Sequence, residues 1–347
     1  MAKQLRRILV AIGSLKHSPK SELHKAAALA KASGASVELF HAIDEPDPHR
    51  SYPETATLET VEKQRAAVMA KCEARLQRFA RDPTLRGVEL TCAAVWDHPP
   101  YEAIVRRALA TKADLVIVAT HGHRFGERLL LGNNDCELLR YCPVPLLLVK
   151  SRQPYYKPVV LAAVDPFHAH AKPADLDARL LRVAGQFAEL MKGKAHVFHA
   201  YMPLVAVDTA PVAAAPPVML PPAVEQAHGE QVARVVNRLA ESAGISRTRR
   251  HIHMGEVSEE LGAVTRRTGT ALVVMGAVSR SALARFLIGN TAERVLDKLS
   301  CDVLIVKPRA FDAKVARTPS TPRVTRAPHR ESDSTVSAAR VVLPPLF

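Results

Sequence analysis

Aromatic side chains make up only 5% of this chain, and tryptophan occurs once. No apolar run approaches the roughly 18 residues that a membrane-crossing helix requires, so no membrane span is expected. Lys3, Arg6 and Arg7 precede an apolar stretch, but Ile8 to Ile12 is too short for a signal-peptide core. The expected compartment is therefore the cytoplasm. Cysteine is also sparse: Cys72, Cys92, Cys136, Cys142 and Cys301 are odd in number and lack the close pairing of a zinc or redox motif. Reduced structural thiols are expected. Neither a Gly-x-Ser-x-Gly elbow nor a Walker A lysine occurs, and no residue can be nominated as a catalytic nucleophile or base.

What is present is ample core material: 347 residues, 48% apolar and 24% charged, with a net charge of +14 at pH 7. The tail from Arg309 to Phe347 carries seven Arg or Lys against three Asp or Glu. The remaining excess is spread over pairs such as Arg6-Arg7, Arg106-Arg107 and Arg266-Arg267, without aromatic interleaving or a nucleic-acid motif. Solvated faces account for it, and no specific nucleic-acid partner is expected. Nonspecific attraction to acidic partners is the alternative.

One stretch organises the chain. Leu272-Val273-Val274-Met275 reads as a buried strand that ends in Gly276, runs through Ser279, and meets Gly289-Asn290-Thr291 at the start of a helix. A glycine turn lets backbone approach a ligand, and a helix start presents unpaired N–H groups and a positive dipole end. Asn290 can act as N-cap with Glu293 completing a near capping box. The plainer reading, that Gly276 and Gly289 are a loop and a cap glycine, stands beside it. The same construction occurs 157 positions earlier, from Val116 to Ala119, through Gly122, to Gly132-Asn133. Phe40-His41-Ala42 answers Phe198-His199-Ala200, so the chain is a tandem duplication.

In chain order, strands are expected at Ile8 to Ile12, Val37 to Ile43, Val88 to Val95, Leu115 to Ala119 and Leu146 to Val149. Helices alternate with them: Ser21 as cap to Ser33, stopped by Gly34, then Thr57 to Arg81, Pro99 and Pro100 through Leu109, and Asn134 to Arg140. The second copy repeats this with a helix from Asp175 to Met191, stopped by Gly193. Strand and helix in alternation imply parallel sheets covered on both faces, with ligands beyond the carboxyl ends of the strands. The expected domains are 1–150 and 158–308, joined by a linker at 151–157 and followed by a disordered basic tail at 309–347. Between Met202 and Ala223, six prolines interleave with apolar residues. A mobile excursion is one reading, and an apolar flap or association surface the other.

The pattern Gly-x-x-Gly, nine residues, Gly-Ser/Thr resembles the nucleotide signature of the universal stress protein family. Two copies in one chain, with Val95-Trp96-Asp97-His98-Pro99-Pro100-Tyr101-Glu102-Ala103-Ile104 in the first, resemble its tandem E-type members. The resemblance implies two doubly wound α/β domains, adenine nucleotide α-hydrolase-like or Rossmann-like. It also implies ATP, with Mg²⁺, as ligand, a pseudo-dimer of the two domains through their last strands, and homodimers as a further association. Carried over by position, Asp165 would hold the ribose and Ala200 the adenine, while Met275, Gly276, Ser279, Gly289, Asn290 and Thr291 would surround the phosphates. Ser279 and Asn290 depart from the family pattern, and the Cβ of Ser279 crowds an approach that Gly permits. The first copy departs further, with Gly13 for the Asp, Ala119 for the first Gly and Asn133 for the hydroxyl residue, although Gly122 and Gly132 remain. Loss of a charged acceptor is worth roughly 1.5–3 kcal/mol, so the first copy is expected to be degenerate.

Two further expectations complete the reading. His196, His199, His251 and His253 fall on strands that such a fold sets side by side, but His196 and His199 do not share a face, so hydrogen-bonded histidines are favoured over a metal site. His168 and His170 carry the same expectation. ATP pyrophosphatases of similar architecture would show a Ser-Gly-Gly-x-Asp-Ser loop where this chain has Gly13-Ser14-Leu15 and Asp165-Pro166-Phe167. The leading function is adenine nucleotide binding in a stress response. The alternatives are a nucleotide-independent protein for a lipid-like ligand or protein partner, and a slow ATPase.

Overall fold

The computed structural model describes residues 5–44, 58–119, 133–167, 175–204, 221–276 and 290–308, with 311 and 315. Its first half comprises β1 (Arg7–Ala11), α1 (Lys20–Ser33), β2 (Ser36–Ile43), α2 (Leu58–Ala80), β3 (Leu90–Trp96), α3 (Pro100–Ala110), β4 (Leu115–Ala119), α4 (Asn133–Tyr141) and β5 (Leu146–Val149). The second repeats the order with β6 (Val159–Ala163), α5 (Leu176–Leu190), β7 (Lys194–Tyr201), α6 (Pro222–Ser242), β8 (Arg250–Met254), α7 (Val257–Thr268), β9 (Thr270–Gly276), α8 (Asn290–Lys298) and β10 (Asp302–Val306).

The strands form one ten-stranded sheet in the order β3-β2-β1-β4-β5-β10-β9-β6-β7-β8. Within each half every described pairing is parallel, which matches the expected doubly wound architecture. Continuous apolar runs are needed because both faces are covered. Val10, Ile117, Leu147, Ala162, Val274 and Leu304 face one core with α1, α2, α5 and α6. Their neighbours Leu9, Val116, Leu148, Leu161, Val273 and Val303 face the other with α3, α4, α7 and α8.

The halves join where β5 pairs antiparallel with β10, Leu147 opposite Leu304 with Leu148–Val303 and Leu146–Ile305 on either side. Because this one pairing is antiparallel, the carboxyl edges of the two halves lie at opposite ends of the sheet. Asp302, fully buried at the start of β10, ties the junction. Its Oδ1 accepts the backbone N–H groups of Lys150 and Ser151 at 2.9 and 2.8 Å. Its Oδ2 accepts the Tyr155 hydroxyl at 2.6 Å and the Lys25 ammonium at 2.8 Å. Lys25 also donates to the Gln153 carbonyl and lies 3.8 Å from the centre of the Tyr155 ring. Two further lysines reach across the junction. The Lys150 ammonium donates to the carbonyls of Leu296 and Leu299 at the end of α8, and that of Lys307 to Arg140 O in α4 at 3.4 Å. Both ends are where a helix dipole favours a cation. Desolvation pulls both lysine pKa values down to about 8, against weaker opposing fields from Cys301 and nearby aspartates for Lys150 and from Cys142 for Lys307.

Several local expectations need correction. Ser21 does not cap α1: the helix starts a residue earlier, with Pro19 at the N-cap position and no side-chain cap bond. Gly34 does end it, at φ 74°. Gly193 does not supply the left-handed residue after α5, which is Lys192 at φ 54°. Gly193 is instead needed for close approach, since a Cβ there would sit 2.0 Å from Pro158 O. The third strand runs from Leu90 rather than Val88, beyond the turn at Gly87. All five cysteines are free thiols, with Cys72, Cys142 and Cys301 buried. Residues 205–220 of the proline-rich stretch, and nearly all of the tail, lie outside the described residues.

Removing one partner of a buried ion pair leaves the other charge uncompensated, at about 3–5 kcal/mol. Asp302→Ala is therefore expected to lower the unfolding free energy by that order, seen as a fall in the urea midpoint, and a Lys25→Met/Asp302→Ala double variant to recover part of the loss. Equal midpoints for wild type and Asp302→Ala would contradict this account.

Candidate functional site

In the second half the chain leaves β6 toward β7 on one side and enters β9 on the other, which makes the β6–β9 boundary the switch point of the sheet. Asp165 follows β6 there, and Gly276 ends β9. Register sets their heights. Ala162 pairs with Val274, which puts Val164 level with Gly276; Ala163 pairs with Phe198, which puts Asp165 level with Ala200. A backbone hydrogen bond from Val164 N–H to Phe198 O, at 3.0 Å, holds this end of β6 against β7. The sheet thus gathers Asp165, Ala200 and Gly276 at one carboxyl edge. Met275 is also in β9, but its side chain is buried with the α7–α8 core, which leaves only its backbone to a ligand.

Ser279 and Gly289 lie outside the described residues, as do Gly122, Gly132, His168 and His170. Asn290 and Thr291 open α8, and only their backbone is described.

Three residues that the sequence reading passed over shape the crevice. Asp177, buried in the first turn of α5, accepts the Asp165 backbone N–H on Oδ1 at 3.1 Å and so fixes where the chain turns after β6. Leu176, beside it, packs onto Gly276; a Cβ at Gly276 would come within 2.9 Å of Leu176 Cδ2. The glycine therefore already has a packing use, independent of any ligand. Phe167 is exposed and lies 5.5 Å, centre to centre, from the His199 ring. The sequence signal for Asp177 was a carboxylate in the first turn of a helix that follows a candidate site strand, while nothing in the pattern singled out Leu176.

The repeated Phe-His-Ala stretch now has a physical reason. His199 Nδ1 lies 2.9 Å from Val164 O, and His41 Nδ1 lies 2.7 Å from Ile12 O, so in each half an imidazole holds the end of the first strand to the second. Beyond that shared brace the first half is different. Gly13 follows β1 where the second half has Asp165, and Ala119 ends β4 where it has Gly276. Charge is concentrated instead after β3, where buried Arg106 donates to Asp97 through Nε at 2.9 Å and Nη2 at 2.7 Å, and to Glu102 at 2.8 Å. Burial opposes the Arg106 charge, yet these bonds to Glu102 and Asp97 push its pKa above the ordinary value. A guanidinium with both carboxylates engaged is an internal brace. Tyr101 donates to Glu102 at 3.1 Å and stacks on Tyr141 at 5.7 Å, extending the brace to α4.

Comparison with known proteins fits this doubled architecture. The sequence profile described as the Universal stress protein family matches residues 4–150 and again 160–307. The chain belongs to the universal stress protein family. It is 28% identical over 302 residues to Universal stress protein E of Escherichia coli K12, covering 84% of this chain and 91% of that protein. The protein of the same name from Photorhabdus laumondii is 27% identical over 297 residues, covering 84% and 92%. Among solved structures, a universal stress protein from Archaeoglobus fulgidus DSM 4304 superposes with a TM-score of 0.60 at 16% identity. That match covers 88% of this chain and all of the other, and shows the shared fold.

Among the described residues of this universal stress protein, no three His, Cys, Asp or Glu side chains converge on a metal position. His196 Nδ1 and His251 Nε2 lie 3.0 Å apart with ring planes within 15°, one ring donating its N–H to the other. His253 pairs with Glu260 at 3.0 Å. Burial, then the fields of His251, Arg249 and Lys194, draw the His196 pKa down from 6.5 to about 4; burial, then Arg267 and His253, lower that of His251. The unfolded chain therefore takes up protons below about 6.5 that the folded chain refuses until about 4. Stability should fall as pH falls through that window, and His196→Gln should flatten the slope; an identical urea-midpoint profile for the variant would refute the assignment.

Proposed function

We propose that this universal stress protein binds ATP, with Mg²⁺, in its second domain and acts in a cytoplasmic stress response through binding rather than catalysis. The observation that carries the reading is the placement of Asp165, Ala200 and Gly276 at the carboxyl edge beside the β6–β9 switch point. A carboxylate there accepts the two ribose hydroxyls, and the small Ala200 leaves room for a purine. The backbone from Gly276 to the start of α8, including Ser279, Gly289, Asn290 and Thr291, is assigned to the phosphates. The domains in this reading are 1–150 and 158–308, linked through 151–157, with 309–347 as a tail, and they form an intramolecular pseudo-dimer. The first domain, with Gly13 and Ala119 at the corresponding places, is assigned a mainly structural role.

A second reading has support of its own. Phe167, Met202, Leu204 and Met254 are exposed apolar side chains on the segments that leave β6, β7 and β8 at this same edge. They suit an apolar ligand or a protein partner bound without nucleotide.

Isothermal titration of ATP in magnesium buffer separates the two. The second-half crevice is expected to take up about one equivalent, and Asp165→Ala to weaken that binding roughly ten- to hundredfold. No binding heat at several temperatures, or an affinity untouched by Asp165→Ala, would refute the nucleotide reading and favour the apolar one.

A further inference from the structure

The first half carries a second concave feature, separate from the Asp165 crevice. A cleft of about 340 Å³ opens between the β1–α1 segment and the last turns of α2, within the roughly 300–1,000 Å³ range of small-ligand sites. Lys16 and Ser18 line one side, Arg75 and Arg78 the other, and Arg81 with Asp82 close the end. The Arg75 guanidinium is oriented by a hydrogen bond from Nε to Leu15 O at 3.1 Å. The Asp82 carboxylate is already engaged, its Oδ1 accepting the Thr84 N–H at 3.0 Å and the Thr84 hydroxyl at 2.6 Å. Burial works against its charge, but the Thr84 bonds and the fields of His24 and Lys20 hold its pKa below the ordinary value. Asp82 is therefore ionised and offsets one of four converging cations.

Like charges gathered around one concavity repel, and an anion seated among them relieves the repulsion. Guanidinium groups suit phosphate oxygens because their planar donors engage two at a time, and a lysine and a hydroxyl add single donors. We propose that this cleft binds the polyphosphate chain of a small molecule, a pyrophosphate or tripolyphosphate group. A nucleic-acid strand is disfavoured: the one aromatic residue in the lining, Phe79, is only 7% exposed and offers no stacking platform. The site shares no residue with the Asp165 crevice and does not depend on the reading of that crevice.

The test is titration of tripolyphosphate into the full chain at low salt, with sulfate and a single-stranded oligonucleotide in parallel. Tripolyphosphate should bind at least about tenfold tighter than sulfate, because several donors engage it at once. Arg78→Ala/Arg81→Ala should weaken it about tenfold or more. Both arginines are exposed, and Lys16→Ala, also exposed, supplies an independent variant expected to weaken binding. Equal affinity for sulfate, or indifference to both the arginine pair and Lys16, would overturn the proposal. So would tighter arginine-dependent binding of the oligonucleotide, which would make the cleft a nucleic-acid surface.

Discussion

The antiparallel pairing of β5 with β10 is the contact on which the rest of the molecule depends. Without it, the last strand of each half would be an exposed apolar edge, a template for pairing with another chain. With it, two parallel sheets become one, and the single reversal of direction sends the two carboxyl edges to opposite ends. Asp302 makes the junction specific rather than merely sticky. Its two oxygens accept four donors from Lys25, Lys150, Ser151 and Tyr155, so the segment that connects the halves is held against the start of β10. Such a carboxylate can be buried because every partner is present, and loses that balance when one is removed.

Duplication explains both what the halves share and where they part. The braces common to both are backbone-level: a histidine holding the end of the first strand, and a lysine after the last strand reaching carbonyls of the other half's last helix. Neither constrains the residue that follows the first strand, so that position was free to diverge. In the second half it is Asp165, with its backbone pinned by Asp177. In the first it is Gly13, and ionic chemistry has moved to the enclosed Arg106–Asp97–Glu102 group. The basic cleft is built by the first half. The divergence makes the two halves chemically unequal while leaving their packing nearly equivalent.

Much of the fold could be read from the sequence because fully covered parallel strands demand continuous apolar runs, and these stand out between polar helices. The duplication was visible for the same reason, through Gly132–Asn133 against Gly289–Asn290 and Phe40–His41 against Phe198–His199. What could not be read were effects that depend on distant partners. Gly193 looks like a helix stop, but its lack of a Cβ serves an approach to Pro158, while Lys192 takes the left-handed turn. Gly276 looks like a ligand glycine, yet Leu176 already fills the space beside it. The histidines on β7 and β8 were placed side by side correctly, but their pairing as an N–H···N bond required the register of those strands. Asp302 gave no sign of its role, since its partners lie at Lys25 and at Lys150 to Tyr155.

The central claim is that the second half alone offers a working nucleotide crevice. Photolabelling of the full chain carrying Arg78→Ala/Arg81→Ala, which silence the basic cleft, with an azido-adenine analogue of ATP, followed by peptide mapping with excess ATP as competitor, tests it most directly. The account predicts competed label on second-half peptides bordering β6, β7 and β9, and none on peptides bordering β1 and β4. Competed label on the first half, or equal label on both, would contradict it.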